Sequence, residues 1–137
     1  MPHLIAEYSQ NLADSIPIDM LLRELHKTAE ASGIFQPATI RTRGIPCAAY
    51  VVGEGTPEDA FVHLEARIRP GRTEETQWRL AGSLMGTLKA AVATAQDDGL
   101  RVGLTVEITL IPPVRVLYST LNPDGSIMEL NAPTATG

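Results

Sequence analysis

Two stretches of this sequence read in turn as strand, helix and strand, and that repetition leaves the chain very few folds to adopt. His3 to Tyr8 is short, rich in strand formers and followed by the polar run Ser9-Gln10-Asn11. Ile18, Leu21, Leu22, Leu25 and Ala29 then recur at helical spacing, with Arg23, Glu24, Lys27 and Glu30 on the opposite face. Ser15 and Pro17 mark the entry of that helix and Gly33 supplies a left-handed exit. Residues 38–43 and 47–52 read as two short extended segments separated by Gly44 and Pro46. After the loop 53–58 the pattern restarts. Residues 59–68 alternate Ala60, Val62, Leu64, Ala66 and Ile68 against Phe61, His63, Glu65 and Arg67. Pro70-Gly71-Arg72 turns the chain, and Thr73 caps a helix with Glu74 and Glu75 in its first turn. Its inner face reads Trp78, Ala81, Leu84, Met85, Leu88 and Val92, Gly82 and Gly86 offer a close backbone approach, and Gly99 ends it. A last strand, 101–110, alternates Val102, Leu104, Val106, Ile108 and Leu110 against Arg101, Thr105, Glu107 and Thr109.

Leu4 and Phe61 hold similar places in their units, so the chain reads as two copies of a βαβ unit sharing one mixed sheet. Both helices should cover one face, giving a two-layer α+β sandwich. The other face, with Phe61, His63, Glu65 and Arg67, suits solvent or a partly polar subunit interface. With 137 residues a single domain is expected, spanning 1–130. It includes a C-terminal hairpin, or an arm reaching a neighbour, from about 112: Val114 to Leu121, the turn Asn122 to Gly125, and Ser126 to Leu130. Residues 131–137 read as a frayed, disordered tail.

Composition narrows the function. Apolar residues at 44% and charged residues at 20% are globular values, and a net charge of −5 argues against nucleic acid as a partner. No long apolar run or secretory signal is visible, so a soluble, cytoplasmic protein with no membrane association is expected. The single cysteine, Cys47, excludes an internal disulfide and reads as a small core residue. His3, His26 and His63 lack metal-ligand spacing, and Gly53-x-Gly55 is too short for a dinucleotide fingerprint.

The residues that can carry chemistry lie at Pro2 and among the arginines. An initiator Met is removed when the next residue is small, and the chain would then begin with a secondary amine fixed at the start of a strand. Such an amine becomes a base near neutral pH if burial or nearby cations lower its pKa. With Met1 in place, the Pro2 nitrogen is an amide and has no such capacity. Arg41 and Arg43, two apart on an extended segment, project from one face and suit a carboxylate between them, or else a salt-bridged edge strand using Glu7, Glu54 or Glu65. Arg72 precedes a helix N-terminus, where an anion is also favoured, although an ordinary surface arginine fits the same position.

Met1-Pro2-His3-Leu4-Ile5, Ser32-Gly33-Ile34-Phe35, Ile40-Arg41-Thr42-Arg43, Ala60-Phe61-Val62-His63-Leu64 and Gly71-Arg72 occur in an order and spacing that resemble the tautomerase superfamily, specifically the 5-carboxymethyl-2-hydroxymuconate delta-isomerase family. The resemblance spans roughly residues 2 to 110. It implies a homotrimer of double-βαβ subunits in which Pro2 is the general base moving a proton along a small carboxylated enol or keto acid. It assigns Arg41 and Arg72 to carboxylate binding and charge stabilisation, makes Arg43 a third basic, substrate-binding position, and requires no metal or other cofactor. The segment Gly44 to Tyr50 is smaller and less aromatic than that family's pattern, which bears on substrate identity. Two alternatives remain: a tautomerase of another enol acid such as phenylpyruvate, and a non-catalytic trimeric binding protein of the same fold.

Overall fold

The computed structural model describes residues 1–112 and 117–129. The elements are β1 (His3–Ser9), α1 (Ile18–Ala31), β2 (Arg41–Cys47), β3 (Asp59–Ile68), α2 (Glu74–Ala91), α3 (Ala93–Asp97) and β4 (Arg101–Leu110), with 3₁₀ turns at Gln10–Asp14 and Pro37–Thr39. The sheet order is β2-β1-β3-β4: β1 runs parallel to β2, β3 parallel to β4, and the two units join antiparallel through β1 and β3. The doubled βαβ pattern is therefore the fold, a mixed sheet carrying the helices on one face.

Alternation decides what is buried. Leu4, Ala6 and Tyr8 of β1 and Val62, Leu64, Ala66 and Ile68 of β3 face the helices, where they meet Leu21, Leu25 and Ala29 of α1 and Leu80, Leu84 and Leu88 of α2. Thr73 caps α2 as its position implies, its side chain accepting from the Thr76 backbone N–H at 3.1 Å. The chain turns back at Gly99 as expected, but α2 ends at Ala91 and a separate short helix, α3, follows.

Three local readings differ from the structure. Residues 38–43 and 47–52 are not two strands; one strand, β2, runs through Gly44 and Pro46, and 48–52 is outside the sheet. A Cβ at Gly44 would lie 3.2 Å from the Tyr8 ring and 3.3 Å from Leu22, so glycine here is a packing requirement inside a strand rather than a break. Pro46 is tolerated because β2 is an edge strand whose outer N–H groups need no partner in the sheet. Trp78 is not on the inner face of α2: it is 78% exposed, and the row Thr76, Leu80, Leu84, Leu88 is buried instead. Apolar residues on α2 exceed one stripe, and the sheet takes the row spaced by four. Gly82 and Gly86 lie on the exposed side with nothing within 4 Å of an added Cβ, so neither serves a close approach within the chain.

Within the C-terminal segment the hairpin is reduced to one antiparallel bridge, Leu121↔Ile127, closed around the turn at Asn122–Gly125. Its preceding stretch forms no strand where it is described, residues 113–116 lie outside the described residues, and so does the expected tail 131–137. Among the described residues no helix is long and apolar enough to cross a membrane, and no cluster of His, Cys, Asp or Glu could hold a metal ion.

The corrected face of α2 gives a direct contrast. Leu64→Ala, at a fully buried position, is expected to cost about 2–5 kcal/mol, whereas Trp78→Ala should stay within about 0.5 kcal/mol. Urea denaturation of both variants checks this; comparable losses would return Trp78 to the core.

Candidate functional site

The topology gathers three chain segments at the N-terminal end of β1. Parallel pairing sets His3 beside Arg41, and the Arg41 N–H donates to the Pro2 carbonyl at 3.1 Å. Antiparallel pairing sets His3 beside Arg67 on the other side, which brings the end of β3 and the following Arg69 and Arg72 to the chain start. Gly71, at φ 119°, makes the turn that leads into Arg72 and the N-terminus of α2.

Pro2 is fully buried, and in this structure the free amine belongs to Met1. That amine is held at about 6 against an ordinary 8.0, first by burial and then by the positive charges of Arg69, Arg41 and Arg72. Arg69 also reaches Met1, its Nη2 lying 3.9 Å from the thioether sulfur.

Arg41 and Arg72 are held in the same manner, each by backbone carbonyls and an aromatic ring. Arg41 Nη1 donates to the Thr39 carbonyl at 2.8 Å and to the Tyr118 hydroxyl at 3.2 Å, and its guanidinium carbon lies 4.9 Å from the Tyr118 ring centroid. Arg72 Nη2 donates to the Ile34 carbonyl at 2.7 Å and Nη1 to the Arg69 carbonyl at 3.1 Å, with the Phe35 ring 5.1 Å away. Burial lowers the Arg72 pKa from its ordinary value.

Arg43 stands apart from this group although it shares the face of Arg41. Its Nη1 donates to His3 Nδ1 at 3.1 Å, which requires an unprotonated acceptor nitrogen. Burial and the charges of Arg43, Arg41 and Arg67 lower the His3 pKa, which favours the neutral ring that role needs. Neither Arg41 nor Arg43 forms a salt bridge with Glu7, Glu54 or Glu65; Glu65 instead accepts from Thr109 at 2.8 Å. Among the described residues, Arg41, Arg43, Arg67, Arg69 and Arg72 all lack a carboxylate partner, while Arg23, Arg79 and Arg101 each have one.

The structure thus brings Pro2, Arg41 and Arg72 together and sets Arg43 to one side. Sequence reasoning missed Arg69, Phe35 in its contact with Arg72, and Tyr118. Arg69 directly follows β3, and its place beside the amino terminus emerges only from the antiparallel pairing of β1 with β3. Tyr118 is 77 residues from Arg41 and carried no local signal. Chemically, such a cluster can bind carboxylates and keep a terminal amine neutral enough to take a proton.

The family model for 5-carboxymethyl-2-hydroxymuconate isomerase matches residues 2–119. The 5-carboxymethyl-2-hydroxymuconate Delta-isomerase of Escherichia coli is 29% identical over 113 residues, covering 82% of this chain and 89% of that protein. The crystal structure of a 5-carboxymethyl-2-hydroxymuconate isomerase from Deinococcus radiodurans R1 is 31% identical, with a TM-score of 0.77 over 85% of this chain and 87% of that one. A fused 4-OT wild-type symmetric trimer shares the fold, at 20% identity and a TM-score of 0.54, over 91% of this chain and 94% of that one. The chain belongs to the 5-carboxymethyl-2-hydroxymuconate isomerase family, and it is an isomerase with a tautomerase-like α+β fold.

Proposed function

We propose that this isomerase moves a proton along a small unsaturated keto or enol acid, with the Pro2 nitrogen as general base once Met1 has been removed. The observation that carries this reading is the terminal amine surrounded by Arg69, Arg41 and Arg72, cations with no carboxylate partner among the described residues. The neutral amine takes a proton from the enol hydroxyl or the adjacent carbon, and the same nitrogen, now protonated, returns one elsewhere in the conjugated system. Atoms balance because the product is an isomer of the substrate. Negative charge spreads over the enolate between the two transfers, and fixed guanidinium groups lower that barrier without having to reorganise. Arg41 and Arg72 hold the carboxylate and the developing charge; Arg43, beside His3, extends the basic surface toward a further carboxylate. Family membership and the name of the E. coli relative support 5-carboxymethyl-2-hydroxymuconate as substrate, and hence a place in aromatic-compound degradation.

A homotrimer belongs to the same proposal. The sheet face opposite the helices holds half-buried Phe61, His63, Glu65 and Arg67 and, among the described residues, carries no helix, and Leu117, Leu121 and Ile127 are exposed at the C-terminal segment. Sedimentation equilibrium is expected to give a trimer, and a stable monomer at micromolar concentration would contradict it.

Arg41→Ala and Arg72→Ala are each expected to lower kcat/KM by about one to two orders of magnitude, since each removes a charge-assisted contact. Wild-type steady-state kinetics in both variants would make them surface residues. Met1-retaining protein should be inactive, because its Pro2 nitrogen is an amide; turnover equal to that of the processed form would remove Pro2 from the mechanism.

The pH dependence follows from the sign of the shift. Only a neutral amine is a base, and the burial and then the arginines that lower the Met1 amine in this structure would act in the same direction on the Pro2 nitrogen once Met1 is removed. Thus kcat/KM should rise with pH through an inflection below the ordinary amine value of 8.0 and be lost as pH falls through it. Arg69→Ala removes one of those cations and should move the inflection upward. A downward or absent shift in this variant would separate Arg69 from the amine.

A further inference from the structure

We propose that Tyr118 is a positioning residue for Arg41, and that the C-terminal hairpin serves to hold it there. The inference rests on the site proposed above and adds to it a residue from outside the two βαβ units. A guanidinium has five N–H groups. Both hydrogens of Arg41 Nη1 are engaged, one by the Thr39 carbonyl at 2.8 Å and one by the Tyr118 hydroxyl at 3.2 Å. Among the described residues that leaves Nε and Nη2, the edge whose two parallel N–H bonds match a carboxylate. The Tyr118 ring, 4.9 Å from the guanidinium carbon, covers one face of the group.

Tyr118 is in turn fixed from behind. Its oxygen accepts from Arg41, so its own hydrogen is free to donate to Thr120 Oγ1, 2.6 Å away. Thr120 accepts at its carbonyl from the Met128 N–H at 2.7 Å, beside the Leu121↔Ile127 bridge and the turn whose Asn122 N–H donates to the Ser126 carbonyl at 2.8 Å. Burial raises the Tyr118 pKa, but the bonds with Thr120 and Arg41 and the charge of Arg41 outweigh it and leave the shift downward, as expected of a phenol oxygen facing a cation. A sequence of bonds therefore runs from the hairpin turn through Thr120 and Tyr118 to the arginine. Arg72 has no equivalent, since its ring, Phe35, and its carbonyls come from the domain itself.

The test is a double-mutant cycle on Met1-free protein with 5-carboxymethyl-2-hydroxymuconate as substrate. Tyr118→Ala is expected to raise KM about tenfold with kcat within about twofold, because a loosened Arg41 binds the carboxylate less well in ground and transition states alike. Tyr118→Phe, which keeps the ring and loses the hydroxyl, should fall between wild type and Tyr118→Ala. In an Arg41→Ala background, Tyr118→Ala should change KM by less than about twofold, since nothing remains to be positioned. Impaired Arg41→Ala with wild-type KM in both Tyr118 variants would overturn the inference and leave the site standing. So would an equal Tyr118→Ala effect with and without Arg41, or a fall in melting temperature with unchanged KM. Wild-type kinetics in Arg41→Ala would overturn both the site and the inference.

Discussion

The position of β1 between a parallel and an antiparallel neighbour is the constraint on which the rest of this protein depends. Parallel pairing with β2 brings the start of one strand to the start of another, and antiparallel pairing with β3 brings an end there too. Arg41 and the neighbouring pair Arg69 and Arg72 belong to two segments far apart in sequence, yet the register leaves all three beside the chain terminus. Two like charges about 8 Å apart repel by about 2 kcal/mol at an effective dielectric of about 20. A chain with sixteen acidic residues and a net charge of −5 had ample means to neutralise them. Among the described residues it pairs Arg23, Arg79 and Arg101 and leaves this cluster without carboxylates, which supports the proposed anion site.

The helix layer makes that arrangement rigid. Leu4, Leu64, Leu25 and Leu84 are fully buried between sheet and helices, so the strand ends that carry the arginines are fixed by a close-packed core instead of by one another. Arg41 and Arg72 are then fixed a second time by aromatic rings and backbone carbonyls, which orient a cation without neutralising it. A carboxylate in the same role would have cancelled the charge, raised the terminal amine toward its ordinary pKa and occupied the place of the substrate. Neutral acceptors avoid all three effects, and they account for a site that is both strongly positive and well ordered.

How much of this was legible in the sequence depended on periodicity. The alternation in 59–68 and 101–110 and the spacing in 18–29 gave the strands, the first helix and hence the doubled unit, because one-sided burial writes itself into the chain at periods of two and 3.6. Gly44 and Pro46 misled because local rules treat them as breaks, whereas an edge strand accepts proline and the Tyr8 and Leu22 side chains demand a glycine. Trp78 misled because α2 has more apolar residues than one face can bury, and only the sheet decides which row is inside. Arg41, Arg43 and Arg72 could be named from residue type and place, but their separation into a group at the amine and a lone Arg43 beside His3 depends on register. Arg69 and Tyr118 required the three-dimensional pairing itself, one through the end of β3 and the other through a contact spanning 77 residues.

If the strand register has placed a base among unpaired cations, the basicity of the terminal nitrogen is the quantity to measure. Met1-free protein labelled with ¹⁵N-proline, titrated by NMR at the Pro2 nitrogen without substrate, reports it directly and independently of turnover. The account requires a midpoint clearly below the ordinary α-amino range of about 7.7–8.0. A midpoint within or above that range would show that the arginine cluster does not act on the chain terminus, and would contradict the account at its centre.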